Sequence, residues 1–181
     1  MPSLIVPDLT APEGITLRPW TLADLPLVRE ASQDEHIPLI TTVPAQYSEA
    51  EGVAFVERQW DRAVTGTGYP FVVVSRNGTP IGNIGLWLRS VADGRASLGY
   101  WLVKSARGQR AAGAALSAVA RWALTDLRIP RLELYVEPWN APSWHTAERA
   151  GFTREGLLRS WQQVGTERRD MYMYSLLPGD L

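Results

Sequence analysis

The strongest constraint on this chain lies between residues 69 and 103, where three strands follow one another with short turns between them. Tyr69 to Ser75 is rich in β-branched and aromatic residues. Asn77-Gly78 then supplies the positive-φ pair that a tight hairpin needs before Ile81 to Leu88. Asp93-Gly94 marks a second turn, and Ala96 to Val103 reads as the next strand. Three consecutive antiparallel strands place a sheet at the centre of the fold.

The flanking segments add helices and further strands. Ile15 to Pro19 is a short strand, and a helix opens at Thr21 with Asp24 three places on and Pro26 in its first turn. Asp34 to Pro44 is irregular. A second helix starts at Ser48, where Ser48-Glu49-Ala50-Glu51 fits a capping box and Val53, Val56 and Trp60 share a face, and Gly66 and Gly68 end it. After the three strands come a helix from Gln109 to Leu127 with a core stripe of Leu116, Val119, Ala123 and Leu127, a strand from Arg131 to Glu137, and a short helix from Ala141 to Ala150. Two final strands, Thr153 to Gln163 and Arg168 to Leu176, join near Gly165. No repeat or linker interrupts the pattern, so residues 1–181 read as a single domain. The fold class is α/β, a central mixed, mostly antiparallel sheet of about six to seven strands flanked by about four helices.

Composition narrows the chemistry. With 45% hydrophobic residues, eight Trp and six Tyr, the chain can bury a sizeable core and is not of the disordered class. It has no apolar run of the roughly 18 residues that a membrane span needs. A net charge of -1 and a pI near 6.1 offer no basic field for nucleic acid. Without Cys and with two His, no thiolate nucleophile and no metal site are expected, so oxygen and nitrogen groups carry the chemistry. Met1 to Pro7 shows no secretion signal, and a cytoplasmic location is the expectation.

One junction points to a ligand. Polar residues Lys104 to Gly108 lead into Gln109-Arg110-Ala111-Ala112-Gly113-Ala114, an unusually small start to a helix. Helix N-termini carry unpartnered N–H groups and partial positive charge, so small side chains here would let a pyrophosphate approach closely. The same residues also suit helix formation and close packing on a sheet. Neither a Walker loop nor a dinucleotide fingerprint is present.

This junction resembles the Gln/Arg-x-x-Gly/Ala-x-Gly/Ala motif of GNAT N-acetyltransferases, and Gly99-Tyr100-Trp101-Leu102 is similar to the strand end of their RimJ/RimL branch. Further on, Asn140-Ala141-Pro142-Ser143, Glu148-Arg149-Ala150-Gly151-Phe152, Glu155-Gly156 and Asp170 follow that branch's order. In purely structural terms Asn140 caps the short helix, Pro142 suits its first turn and Gly151 stops it. The resemblance implies a GNAT-like fold and an enzyme that moves an acetyl group from acetyl-CoA to a primary amine. It implies that Gln109, Arg110, Ala111, Ala112, Gly113 and Ala114 hold the pyrophosphate. By the same resemblance, Leu102 and Val103 pair with the pantetheine amides, and Asn140 bonds the pantetheine arm. Ser143 would lie near the thioester sulfur. Many relatives place a proton-donating Tyr seven residues after that Asn; here the position is Ala147, so Ser143 becomes the candidate donor.

The general base has several candidates. Glu133 alternates with Leu132 and Leu134, and Glu137, Asp170 and His36 stand beside it in consideration. Related enzymes carry a Glu just before Gly-Tyr-Trp where this chain has Ser97. An α-amine titrates near 7.7 to 8.0 and lysine near 10.4, so lysine would require about 3.4 kcal/mol more for deprotonation. The acceptor pocket is expected from the first two helices, residues 34–44 and the hairpin near Gly165. The acceptor is a protein N-terminal amine or a small-molecule amine. Alternatives are a CoA-binding regulatory domain with little turnover and a transferase of longer acyl groups. Eight Trp also leave room for a homodimer surface.

Overall fold

In a computed structural model the described residues, 3–181, form eight strands. These are β1 (Leu9–Thr10), β2 (Thr16–Arg18), β3 (Gly68–Val74), β4 (Pro80–Trp87), β5 (Ala96–Leu102), β6 (Leu132–Val136), β7 (Thr153–Val164) and β8 (Glu167–Leu176). The same residues form five α-helices, α1 (Leu25–Ser32), α2 (Ile37–Ile40), α3 (Glu49–Val64), α4 (Ala111–Thr125) and α5 (Ala141–Arg149). The strands make one sheet in the order β1-β2-β3-β4-β5-β6-β8-β7. Every neighbouring pair is antiparallel except β5 and β6. The excess over the expected counts is β1 and α2, of two and four residues, too short for periodicity to register. Met1 and Pro2, the start of the segment expected to carry no leader, lie outside the described residues. Among the described residues no helix is long and apolar enough to cross a membrane.

Helices cover both faces of the sheet, which is why β3 is buried along its whole length. On one face Leu116, Val119 and Ala123 of α4 are fully buried, and Trp122 meets Tyr69 and Phe71 edge-on at 4.9 and 5.8 Å. Leu127 lies past the end of α4 and is only partly buried. On the other face Trp20 packs edge-on to Phe55 of α3 at 5.1 Å, and its Nε1–H donates to the buried Asn83 Oδ1 at 3.0 Å. The inward face of α3 is Phe55, Val56, Gln59 and Ala63 rather than the expected Val53, Val56 and Trp60. Trp60 is 40% exposed because its Nε1–H turns to donate to the Trp20 carbonyl at 2.8 Å.

Local chemistry explains the boundaries. Ser48 Oγ accepts the Glu51 N–H and starts α3, and the Asp24 carboxylate accepts both the Thr21 N–H and its hydroxyl ahead of α1. Pro70 is tolerated inside β3 because β2 pairs only with Val72, Val73 and Val74, so a missing N–H at residue 70 leaves no acceptor of β2 without its donor.

Candidate active site

β5 and β6 touch over three residue pairs only, Ala96 with Leu132, Ser97 with Glu133 and Leu98 with Leu134. Beyond that each follows its outer neighbour: β5 stays paired with β4 as far as Leu102, and β6 with β8 as far as Val136. A gap therefore opens between Gly99–Leu102 and Tyr135–Val136. Hydrogen bonding alternates along a strand. The Ala96 N–H turns to the Arg131 carbonyl on the β6 side, whereas the Val103 N–H turns to the Ile81 carbonyl on the β4 side at 3.0 Å. The residues in phase with Ala96, Tyr100 and Leu102, thus present their backbone to the gap. This corrects the expectation for Val103, whose N–H is already taken; at Leu102 the carbonyl accepts Arg107 Nε–H at 3.1 Å.

Past the end of β5 the chain passes through residues 103–110 into the N-terminus of α4. Gly108 and Arg110 both adopt left-handed backbone conformations, with φ of 80° and 59°, and turn the chain into the helix. Gln109 and Arg110 precede the helix rather than open it. The Ala114 N–H donates to the Arg110 carbonyl at 3.1 Å, which removes it from the expected set of ligand donors. The N–H groups of Ala111, Ala112 and Gly113 lie ahead of that first bond and have no acceptor within the helix. A Cβ on Gly113 would meet nothing closer than Thr146 Cγ2 at 3.9 Å, so the approach is open. Small residues, free donors and an adjoining strand edge together fit a pyrophosphate with an amide-bearing arm.

A cavity of about 780 Å³ occupies the gap and continues beneath α2 and α3. On one lip stands Ser143 of α5. Its Oγ is 2.9 Å from the Tyr100 hydroxyl, which also lies 3.2 Å from the Ser143 carbonyl. Burial pushes the Tyr100 hydroxyl above its ordinary pKa, against the lowering effect of its bonds to Ser143 and Thr146, so it keeps its proton at neutral pH. Asn140 Oδ1 caps α5 by accepting the Ser143 N–H at 3.3 Å, which leaves its amide NH₂ as a donor for a ligand. Tyr100 was absent from the residues expected at the site. Its signal was parity: residue 100 is in phase with Leu98 and Leu102 and faces α5.

The opposite lip carries Glu137, whose side chain is 6% exposed, beside His36. His36 Nε2 is 3.3 Å from Glu137 Oε2, within ion-pair range, yet the angles make no hydrogen bond and this buried oxygen has no donor. His36 is held over the gap by Asp34, whose Oδ1 accepts the N–H groups of His36 and Ile37 and whose Oδ2 accepts from Arg107. Burial opposes ionisation of Asp34, but these bonds outweigh it and hold its carboxyl below the ordinary range.

The other base candidates are engaged elsewhere. Glu133, expected as a catalytic residue, has Oε1 accepting from Arg131 Nε at 2.9 Å and Oε2 accepting from the Tyr135 hydroxyl at 2.8 Å. Unlike Glu137, it does not line the cavity. Asp170 Oδ1 accepts the Ser160 N–H at 2.7 Å, pinning the bulge of β7 where Ser160 has a φ of 49°.

The cavity floor is Trp87. Its indole lies across three positions without side chains: a Cβ on Gly85 would fall 2.0 Å from Trp87 Cζ2, one on Gly68 2.6 Å from Cε3, and one on Gly99 3.4 Å from Nε1. The Arg62 guanidinium sits over this indole, 4.8 Å from the ring centroid.

Comparison with known proteins matches this geometry to one family. A model of the acetyltransferase (GNAT) domain matches residues 15–153. The uncharacterized N-acetyltransferase p20 of Bacillus licheniformis is 27% identical over 166 residues, 91% of this chain and 93% of that protein. RimJ of Mycobacterium smegmatis, solved with CoA-disulfide, superposes with a TM-score of 0.83 at 25% identity, covering 97% of this chain and 88% of that one. RimL, a ribosomal L7/L12 α-N-protein acetyltransferase solved with coenzyme A, shares the fold with a TM-score of 0.79 at 19% identity, covering 94% and 98%.

Proposed function

The chain belongs to the GNAT acetyltransferase family, and from that premise we propose that it moves an acetyl group from acetyl-CoA to a primary amine by direct attack on the thioester. The observation that carries the reading is the gap between β5 and β6, whose cavity is lined by a buried carboxylate, Glu137, and a hydroxyl pair, Tyr100 and Ser143, with the chain passing from the end of β5 into the unpartnered N-terminus of α4. Acetyl-CoA supplies the acyl group as a thioester. The N–H groups of Ala111, Ala112 and Gly113 hold its pyrophosphate, with the Gln109 and Arg110 side chains beside them. Backbone groups of Tyr100 and Leu102 and the Asn140 amide hold the arm.

The amine enters from the Glu137 lip. As its nitrogen bonds to the acyl carbon, the carbon–sulfur bond breaks, and the amine loses one proton to Glu137 Oε2. Ser143 donates its hydroxyl proton toward the departing sulfur and receives one from Tyr100, so the products are an amide and the CoA thiol. Solvent exchange then restores Glu137 and Tyr100. An unpartnered buried carboxylate oxygen is rare in folded proteins, and a proton-accepting role accounts for it. One carboxylate beside one imidazole suits an α-amine, whose pKa near 7.7 to 8.0 leaves little to remove, better than a lysine. Binding and positioning contribute most of the acceleration in such a scheme.

Calorimetric titration with acetyl-CoA, followed by thiol release across an amine panel, tests the proposal. We expect binding, release with α-amine acceptors, and a loss of at least tenfold in kcat for Glu137→Gln. Binding without release on any amine would favour a CoA-binding regulatory domain. A preference for longer acyl chains in competition would redefine the acyl group, and absence of CoA binding would overturn the reading.

A further inference from the structure

The acceptor side of the cavity is cationic in a chain whose net charge is -1. Besides Tyr100 and Tyr135, its ionisable lining consists of Arg62 and Arg89 with His36 and one carboxylate, Glu137. Glu137 stands by His36. Among the described residues neither Arg62 nor Arg89 lies within ion-pair distance of any carboxylate, and of the unpaired arginines these two line the cavity.

Arg62 is held in place without being neutralised. Its guanidinium stacks on Trp87 and donates to Gln59 Oε1 and to Thr42 Oγ1, and Gln59 itself is 1% exposed with its amide fixed to the Phe55 carbonyl. Arg58 stands close behind, donating to the Thr42 carbonyl while its buried Nε has no partner. Burial, then the charges of Arg58 and Arg89, push the Arg62 pKa down, the mark of a cation among cations. Holding a fixed, uncompensated guanidinium over the floor of a pocket is costly unless an anion arrives there.

We propose that the acceptor carries an anionic group, carboxylate or phosphate, apart from its reacting amine, and that Arg62 with Arg89 forms the pole that binds it. The two poles divide the work: Glu137 receives the amine at the gap, and the arginines orient the molecule from beneath α3. This rests on the amine-acetylation reading and names the substrate class for it. A free amine without an anion would meet net positive charge on this side of the cavity, and a bidentate guanidinium contact with a planar carboxylate or a phosphate would remove that opposition.

The test is a set of dipeptide amides with N-terminal Ala followed by Asp, Asn or phosphoserine, read as kcat/KM and, separately, as calorimetric affinity. One or two charge-assisted hydrogen bonds correspond to a preference of roughly 10- to 100-fold for Asp or phosphoserine over Asn. The Asp and phosphoserine arms separate carboxylate from phosphate. Arg62→Gln and Arg89→Gln should each shrink the preference towards unity, and Arg62→Lys should retain part of it. Equal kcat/KM on the Asp, phosphoserine and Asn peptides in the unaltered enzyme would overturn the inference while leaving the acetylation reading intact. Preferential binding of the anionic peptides without any thiol release would do the reverse, keeping the anionic pole and removing the reaction. Loss of acetyl-CoA affinity in Arg62→Gln equal to its loss of acceptor preference would assign the arginines to the CoA side and also overturn the proposal.

Discussion

Replacing Gly113 with Glu should move stability and ligand affinity in opposite directions. Gly113 is the third residue of α4 and its N–H is one of the three that precede the first bond from Ala114 to Arg110. A Cβ there meets only Thr146 Cγ2 at 3.9 Å, so the new side chain fits without rearrangement. Glycine within a helix is about 0.5–1 kcal/mol less favourable than Ala, and an acidic side chain in the first turn adds about 0.3–1 kcal/mol through the helix dipole. The variant should therefore fold as well as the parent or better. Its carboxylate would stand ~5 Å from a phosphate bound at the helix end, a repulsion of about 3 kcal/mol at an effective dielectric near 20 and under 1 kcal/mol in bulk water. The acetyl-CoA Kd should rise roughly 10- to 100-fold, less at high salt. Gly113→Gln, of similar size without charge, separates repulsion from bulk, and Gly113→Ala should change little. Calorimetric titration at two salt concentrations with thermal unfolding checks all three. Affinity within threefold of the parent for Gly113→Glu, or an equal loss in Gly113→Gln, would refute the placement of the phosphates.

If Tyr100 and Ser143 act as one relay, Tyr100→Phe and Ser143→Ala should each lower kcat by about tenfold or more, and the double variant should be no slower than the slower single; multiplicative losses would separate the two residues. Gly85→Ala would set a methyl 2.0 Å from Trp87 Cζ2, and displacing the indole should cost about 1–3 kcal/mol in denaturant unfolding; stability unchanged within about 0.5 kcal/mol would show that Trp87 is free to leave the floor. Glu155 is held at a pKa of about 2, against an ordinary 4.5, by hydrogen bonds from Arg131 and Ser175. Because the folded value is depressed, its contribution is complete above about pH 4.5 and vanishes as pH falls towards 2. Glu155→Gln should therefore flatten the loss of stability in that window, modestly because the pair is open to solvent, and an unchanged pH slope would argue against the assignment.

What was legible in the sequence follows from how each part of the site is built. Most of the proposed CoA side comes from one continuous stretch, residues 99–114, where small residues, a helix start and a strand end are all local signals; Asn140 is the contribution from outside it. The sheet centre was legible because the Asn77-Gly78 and Asp93-Gly94 turns bound it, but the expected positive-φ pair is not formed: only Gly78 and Gly94 are left-handed, at φ of 83° and 73°, and the first turn spans Ser75 to Thr79. The acceptor side is different, since α2, α3, β4 and the end of β6 each contribute two or three side chains to it. Glu133 and Glu137 both stood as base candidates, and alternation along the strand gave no ground for preferring Glu137. Their neighbours decide: Arg131 and Tyr135 occupy both oxygens of Glu133, while Glu137 has only a poorly aligned imidazole. Trp87 illustrates a signal that needed pairing to be readable. Gly85 and Gly99 are cross-strand partners in the register of β4 and β5, so the two glycines clear one shared patch of sheet, and the large residue two positions beyond Gly85 is the one that can lie down on it. A pair of glycines facing each other across neighbouring strands next to a Trp is thus evidence for a built pocket floor, and the cation stacked on that floor follows from the pocket's chemistry rather than from any motif.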